Sequence, residues 1–217
     1  MSSVEPELEG VIVKERVAEP GEVCFNICHM SKLIIGLVGE MGCGKGTMAD
    51  ILREQYGAGY YRFSAILSDI LTRLSIEKSR ENLQKISNLL RDGFGEDVLS
   101  NAIEKDAVTT KEDIVIIDGI RRPEDIVLLE PLPIFKLIAI DVPAKLRYER
   151  MKGRGEKIGE SQMTWEQFQE QEKAPTEVTI PLVMQRAWKM LDNSGGREEF
   201  ENKVHTVMKE LEFEPKK

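Results

Sequence analysis

The chain has 217 residues, 41% hydrophobic and 31% charged, which suits one globular unit with an ordinary core and leaves too little chain for two packed domains. Its formal charge of -8, from 30 basic and 38 acidic side chains, excludes a broad nucleic-acid footprint and leaves phosphate binding to a local cluster of cations. No apolar run approaches the roughly 18 residues of a membrane span, residues 1–30 show neither a basic leader nor a continuous apolar stretch, and 3 cysteines make no disulfide framework, so a reducing, cytoplasmic setting is expected.

Residues 1–30 hold Glu5, Glu7, Glu9, Glu15, Glu19 and Glu22 against Lys14 and Arg16, half of the net charge in a seventh of the chain. They read as an acidic accessory extension. Val11–Val13 and Cys24–Ile27 have the character of a short edge strand or hairpin, and a tail or a start at Met30 are the other readings. Cys24, Cys28 and His29 lack a second ligand pair at zinc spacing.

From Leu33 the pattern is regular. Leu33–Val38 is an apolar run of the kind buried in a parallel sheet, a glycine-rich segment follows, and Met48, Ile51, Leu52 and Tyr56 recur at helical spacing. Tyr60–Phe63 is a weaker second strand. Amphipathic helices are then predicted through Ile66 to Leu74, Leu83 to Leu90, and Val98 to Ile103, with Gly93 and Gly95 separating the last two. Ile114–Asp118 is the next strand, and Pro123 suits the first turn of a helix behind it. Phe135–Asp141 and Ala187–Asp192 complete the strands, and Phe200, Val204, Val207, Met208 and Leu211 mark the last helix. Residues 153–180, rich in glycine, charge and amides around Trp165 and Phe168, read as a mobile lid joined to a helix. Strands alternating with helices predict an α/β fold with right-handed crossovers on a parallel sheet.

The strongest chemical signal is Gly39-Glu-Met-Gly-Cys-Gly44-Lys45-Gly46-Thr47, which has phosphate-loop spacing and lies between a strand and a helix. In that reading Gly39, Gly42, Cys43, Gly44, Gly46, Thr47 and Met48 bring backbone N–H groups to phosphate oxygens, and Lys45 bridges the terminal phosphates of ATP. The residue after Lys45 is glycine, so the hydroxyl that would meet Mg2+ comes one position later, at Thr47, and phosphates and water carry more of the ion. Asp118, at the end of an apolar strand, suits a role in organising that hydrated magnesium, and Arg121 and Arg122 suit phosphate oxygens. The histidines, His29 and His205, lie in the extension and on the last helix, away from any place for a histidine base.

The Gly44-Lys-Gly-Thr47 variant resembles the adenylate kinase branch of the P-loop nucleoside monophosphate kinases. Asp118-Gly-Ile-Arg-Arg122 is similar to that family's D-G-F-P-R segment, with Arg122 matching the arginine that grips the acceptor phosphate and Arg121 standing where the family has proline. Arg147, Arg150 and Arg154 lie within about 60° of one another on a helix and resemble the lid arginines that close over the transferring group, the lid covering about 150–160. Phe63-Ser-Ala-Ile-Leu-Ser-Asp, Arg80-Glu-Asn-Leu-Gln-Lys and Arg91-Asp-Gly-Phe-Gly-Glu-Asp look like the acceptor-side helices of phage-type deoxynucleoside monophosphate kinases. That likeness nominates Ser64, Arg73 and Arg80 beside Arg121 and Arg122. Asn193-Ser-Gly-Gly is similar to a segment of archaeal-type putative nucleotide kinases, and it implies that Asn193 and Gly195 lie near the donor base.

The resemblance implies a three-layer P-loop nucleotide kinase fold over residues 31–217, with strand order 2-3-1-4-5 and a short lid. It further implies transfer of the gamma-phosphoryl group of ATP to a nucleoside or deoxynucleoside monophosphate with Mg2+, by a monomer or homodimer that meets small-molecule nucleotides and neither nucleic acid nor membrane. Lys45, Asp118, Arg122, Arg150 and Arg154 would be catalytic, with Arg147 on the donor. A dephospho-coenzyme A kinase-like activity and a nucleotide-dependent regulatory ATPase are the alternatives.

Overall fold

The computed structural model describes residues 32–154 and 160–216; the extension expected at 1–30 and the centre of the expected lid lie outside them. Five strands, β1 (Leu33–Val38), β2 (Gly59–Arg62), β3 (Ile114–Asp118), β4 (Phe135–Asp141) and β5 (Lys189–Asp192), form one sheet. Its order is β2-β3-β1-β4-β5, and every neighbouring pair is parallel. This is the three-layer α/β fold expected from the alternation of strands and helices.

Alternate residues of the central strands feed two cores, which is why β1 shows no polar side chain at all. Leu33, Ile35 and Leu37 join Ile116, Ile140 and Leu191 under α1 (Lys45–Tyr56) and α8 (Arg197–Glu210), whose Met48, Leu52, Phe200 and Val204 are buried there. Ile34 and Val38 join Ile117 and Ala139 on the opposite face. There they meet α2 (Phe63–Arg73), α4 (Val98–Thr109) and α7 (Ile180–Met184) through Leu67, Ile103 and Val183. Gly36 leaves the gap in β1 that this second layer needs, since a Cβ there would stand 2.8 Å from both Ile120 and Phe135. Between α2 and α4 runs α3 (Arg80–Phe94), started by Ser79, whose hydroxyl accepts from the Asn82 N–H at 3.2 Å as an N-cap should.

Three segments depart from expectation. Pro123 opens only a single 3-10 turn, Pro123–Asp125, and turns follow to 131, because Pro131 and Pro133 remove donors and push their preceding residues out of helical geometry. The last strand is shorter than predicted and starts at Lys189. In the region read as a mobile lid joined to a helix, residues 160–180 are packed, while 155–159 lie outside the described residues. After α5 (Ala144–Arg154) come a 3-10 turn, Glu160–Gln162, and α6 (Trp165–Glu172), and Phe168 is fully buried with Met151 and Met163 against Tyr148 and Trp165. Tyr148 meets both the Trp165 and Phe168 rings edge-on, and its hydroxyl donates to the Met163 carbonyl at 2.9 Å. Trp165 and Phe168, the aromatic residues of that polar stretch, therefore fasten α6 to α5.

Candidate phosphate and acceptor sites

The loop from Gly39 to Gly44 has a shape only glycine permits at its key positions. Gly42 and Gly44 hold φ of +75° and +105°, a region that costs L-residues strain. A Cβ on Gly44 would also stand 2.3 Å from the Asn193 amide nitrogen. Helix α1 starts directly after Gly44, with no side chain capping it and no acidic residue in its first turn. Its N-terminal N–H groups and dipole are thus left to an external anion. Lys45 folds back over the loop, donating to the Gly39 carbonyl at 2.5 Å and the Glu40 carbonyl at 3.2 Å, and no carboxylate of the described residues is within ion-pair distance of it.

Two residues expected to face phosphate do not. The Cys43 N–H donates to the Glu40 carbonyl at 3.3 Å within the loop, and its thiol is buried. The Met48 N–H makes a helical bond to Gly44, at 3.1 Å, and its side chain is core. Gly46 and Thr47 stay on the accessible side of the helix start.

Arg147 is likewise placed differently from a lid arginine. Only 3% of it is exposed. Its guanidinium donates to the Val142 carbonyl at 2.9 Å and the Met41 carbonyl at 3.2 Å. It also pairs with Glu40 at 2.8 Å and with Glu172 at 2.6 Å. The Glu172 oxygen is off the N–H direction and forms no hydrogen bond, so that contact is ionic only. Arg147 therefore clamps the underside of the loop to α5 and α6. Burial pushes the Glu40 carboxyl above its ordinary value of 4.5, against the opposing pull of Arg147. Asn193 braces the same loop: its amide donates to the Cys43 carbonyl at 2.8 Å. Arg150 reaches the adjoining turn, donating to the Gly195 carbonyl at 3.1 Å, so Asn193, Gly195 and Arg150 do gather beside the loop. The side chain of Arg154 lies outside the described residues.

Asp118 ends β3, the strand beside β1, so it emerges at the same carboxyl edge of the sheet as the phosphate loop. One of its oxygens accepts from the Tyr60 hydroxyl at 2.6 Å and the other from the Gly119 N–H at 2.7 Å. Burial and that bond to Asp118 hold the Tyr60 phenol well above its usual range, hence as a donor. Nothing in the sequence of β2 singled out Tyr60; the signal is its place two residue pairs before Arg62↔Asp118 in the β2–β3 register, on the same face of the sheet.

Downstream of Asp118, buried Asp125 accepts from the Arg121 and Arg122 N–H groups, each at 3.0 Å, and pairs with Arg91 at 3.0 Å. It fixes the backbone that presents both arginines. Arg121 pairs with Glu177, and Arg122 with Glu96 at 3.0 Å. Arg91, Asp125 and Glu96 were missed as site residues, although Arg91 and Glu96 stand in the acceptor-like segment. Ser64, Arg73 and Arg80 are exposed on α2 and α3, and among the described residues no hydrogen bond or ion pair joins them to the loop. Arg80 lines an open groove with Glu81, Gln84, Lys85 and Asn88.

Among the described residues no group of three or more His, Cys, Asp and Glu is placed to hold a metal, and no helix is long and apolar enough to cross a membrane. A divalent ion here would be of the magnesium kind, carried mainly by phosphates and water with Thr47 and Asp118 as the protein oxygens on offer.

A family model described as an AAA domain matches residues 38–169. A UPF0200 protein of Sulfurisphaera tokodaii is 31% identical over 179 residues, covering 82% of this chain and 97% of that one. A UPF0200 protein of Hyperthermus butylicus is 28% identical over 180 residues, covering 83% and 95%. The solved shikimate kinase from Bacteroides thetaiotaomicron is 15% identical with a TM-score of 0.55, covering 83% of this chain and 99% of that one, a likeness of fold. The chain thus has a P-loop kinase-like fold and belongs to the UPF0200 family, its residues 38–169 to the AAA domain family.

Proposed function

We propose that the protein is an ATP-dependent kinase that transfers the gamma-phosphoryl group to a nucleoside or deoxynucleoside monophosphate. The observation that carries this reading is a division of cations at one edge of the sheet. Lys45 and the uncapped α1 serve one anion, while Arg91 and Arg122 stand in a separate cluster behind Asp118. Two anion sites at adjoining strand ends suit a donor triphosphate and an acceptor that itself carries phosphate. Lys45 draws on the donor phosphates, Thr47 and Asp118 hold hydrated magnesium, Arg122 orients the acceptor, and Arg150 and Arg154 close from α5. Magnesium, when bound, neutralises phosphate charge; the rest is positioning by these side chains. Residues 31–217 form the kinase unit and 1–30 an accessory extension.

The test is ADP formation across all ribo- and deoxyribonucleoside monophosphates, with dephospho-coenzyme A and shikimate as other acceptors. Stimulation by at least one monophosphate is expected. Lys45→Met should lose roughly 10³-fold in turnover, and Arg122→Lys should impair acceptor use while ATP affinity measured alone stays unchanged, because an ammonium cannot reproduce the bidentate fork. ADP formation that no acceptor stimulates, or ATP binding impaired by Arg122→Lys, would overturn the proposal in favour of a regulatory ATPase.

A further inference from the structure

The Arg91–Arg122 cluster contains an anion of the chain's own. One carboxylate oxygen of Glu96 lies 3.0 Å from Arg122 and 3.9 Å from Arg91, while the Glu96 carbonyl accepts from Arg91 at 2.6 Å. Gly95, at φ +106°, turns the chain out of α3 so that both oxygen types of Glu96 come back to the guanidiniums. The two carboxylates of the cluster are held very differently. Asp125 is buried and takes the Arg121 and Arg122 backbone N–H groups as well as Arg91. The Glu96 side chain is 59% exposed and its carboxylate meets only the arginines. Nor do these two saturate the cations: Arg91 is 8% exposed, and its buried Nε has no hydrogen-bond partner among the described residues.

We propose that Glu96 is a displaceable stand-in for the phosphate of the acceptor. It keeps Arg91 and Arg122 aligned while the site is free, and a phosphate monoester drives it into solvent. The proposal rests on the kinase reading for the identity of the ligand as an acceptor. An exposed ion pair is weakly held, whereas a phosphate dianion brings more charge and enough oxygens to meet both guanidiniums. The competition makes Glu96 a determinant of acceptor affinity: a ligand must outbid a carboxylate, so singly charged carboxylates are rejected and phosphate monoesters admitted.

The test uses the full 15N-labelled chain, with the phosphate loop filled by magnesium and a non-hydrolysable ATP analogue, titrated with inorganic phosphate. Binding is read by calorimetry and by the arginine Nε–Hε resonances, the Arg122 signal being identified by its loss in Arg122→Lys. Glu96→Gln keeps the carbonyl contact and removes the competing charge. It should bind phosphate about two- to fivefold more tightly than the wild type, the release of one exposed ion pair, with an unchanged melting temperature. Glu96→Ala should do the same and serves if the glutamine variant melts early. Phosphate affinity in both variants equal to or below that of the wild type would overturn the proposal. If the variants bind tighter but no monophosphate is ever phosphorylated, the stand-in holds and the kinase reading fails. If monophosphates are phosphorylated with a KM indifferent to Glu96, the kinase reading holds and the stand-in fails.

Discussion

Replacing Arg147 by methionine separates a clamp from a lid. The substitution keeps an apolar stem but removes the guanidinium that lies over the Phe168 ring, and it leaves Glu40 and Glu172 without their buried counter-charge and the Met41 and Val142 carbonyls without a donor. Removing one member of a buried pair costs about 3–5 kcal/mol. The carboxylates are 32% and 22% exposed and can regain water, which lowers that figure, while each deprived carbonyl adds about 1 kcal/mol. The expected loss is therefore about 3–4 kcal/mol, a large part of the ~5–15 kcal/mol that holds a domain folded. With a urea dependence of about 2 kcal/mol per molar, the midpoint should fall by roughly 1.5–2 M. ATP affinity measured by calorimetry should fall too, because the loop loses its floor. Arg147→Lys should recover less than half of the loss, since one ammonium cannot meet two carboxylates and two carbonyls at once. A midpoint within about 0.3 M of wild type, combined with lost turnover, would refute this account and return Arg147 to the phosphates.

Other perturbations test the remaining parts. Glu40 has a folded-state pKa above 4.5, so its contribution to stability is full below that value and is lost as pH rises through the raised one; Glu40→Gln should lack this decline, visible as melting curves of the two proteins that converge or cross between acid and neutral pH. Tyr60→Phe should leave the fold intact, at a cost of about 1 kcal/mol, yet raise the magnesium concentration for half-maximal turnover several-fold as Asp118 loses its anchor; an unchanged magnesium curve would remove Tyr60 from the site. Gly44→Ala should lose nucleotide binding and about 1–2 kcal/mol of stability through its left-handed backbone and its collision with Asn193. Gly46→Ala, with open space at its Cβ, should be tolerated in the melt. A chain beginning at Met30 should melt cooperatively and keep ATP binding; aggregation would assign Val11–Val13 or Cys24–Ile27 to the core.

Much of the architecture is written in short stretches of sequence, because its causes are local. The apolar run Leu33–Val38, the glycines that follow and the helical spacing from Met48 to Tyr56 each act within a few residues, and together they determine strand, phosphate loop and helix. The sheet order followed from the likeness of those segments to known kinases, and the parallel ladders agree with it. Where the sequence reading went astray, the deciding contacts are distant. Three arginines spaced along α5 look alike in sequence, yet Arg147 meets Glu40 from the phosphate loop and Glu172 from α6, and that pairing buries it. Trp165 and Phe168 sit in a polar stretch that suggests a lid until Met151 and Tyr148 supply their apolar partners. Tyr60 and Asp118 become neighbours only through the β2–β3 register, and Arg91 meets Asp125 and Glu96 only when α3 closes on the turn after β3. Local patterning thus determined the elements and the phosphate loop, whereas tertiary structure decided which charges are buried, paired or left free for a ligand, since an ionisable group's state depends on every charge that folding brings within a few ångströms of it.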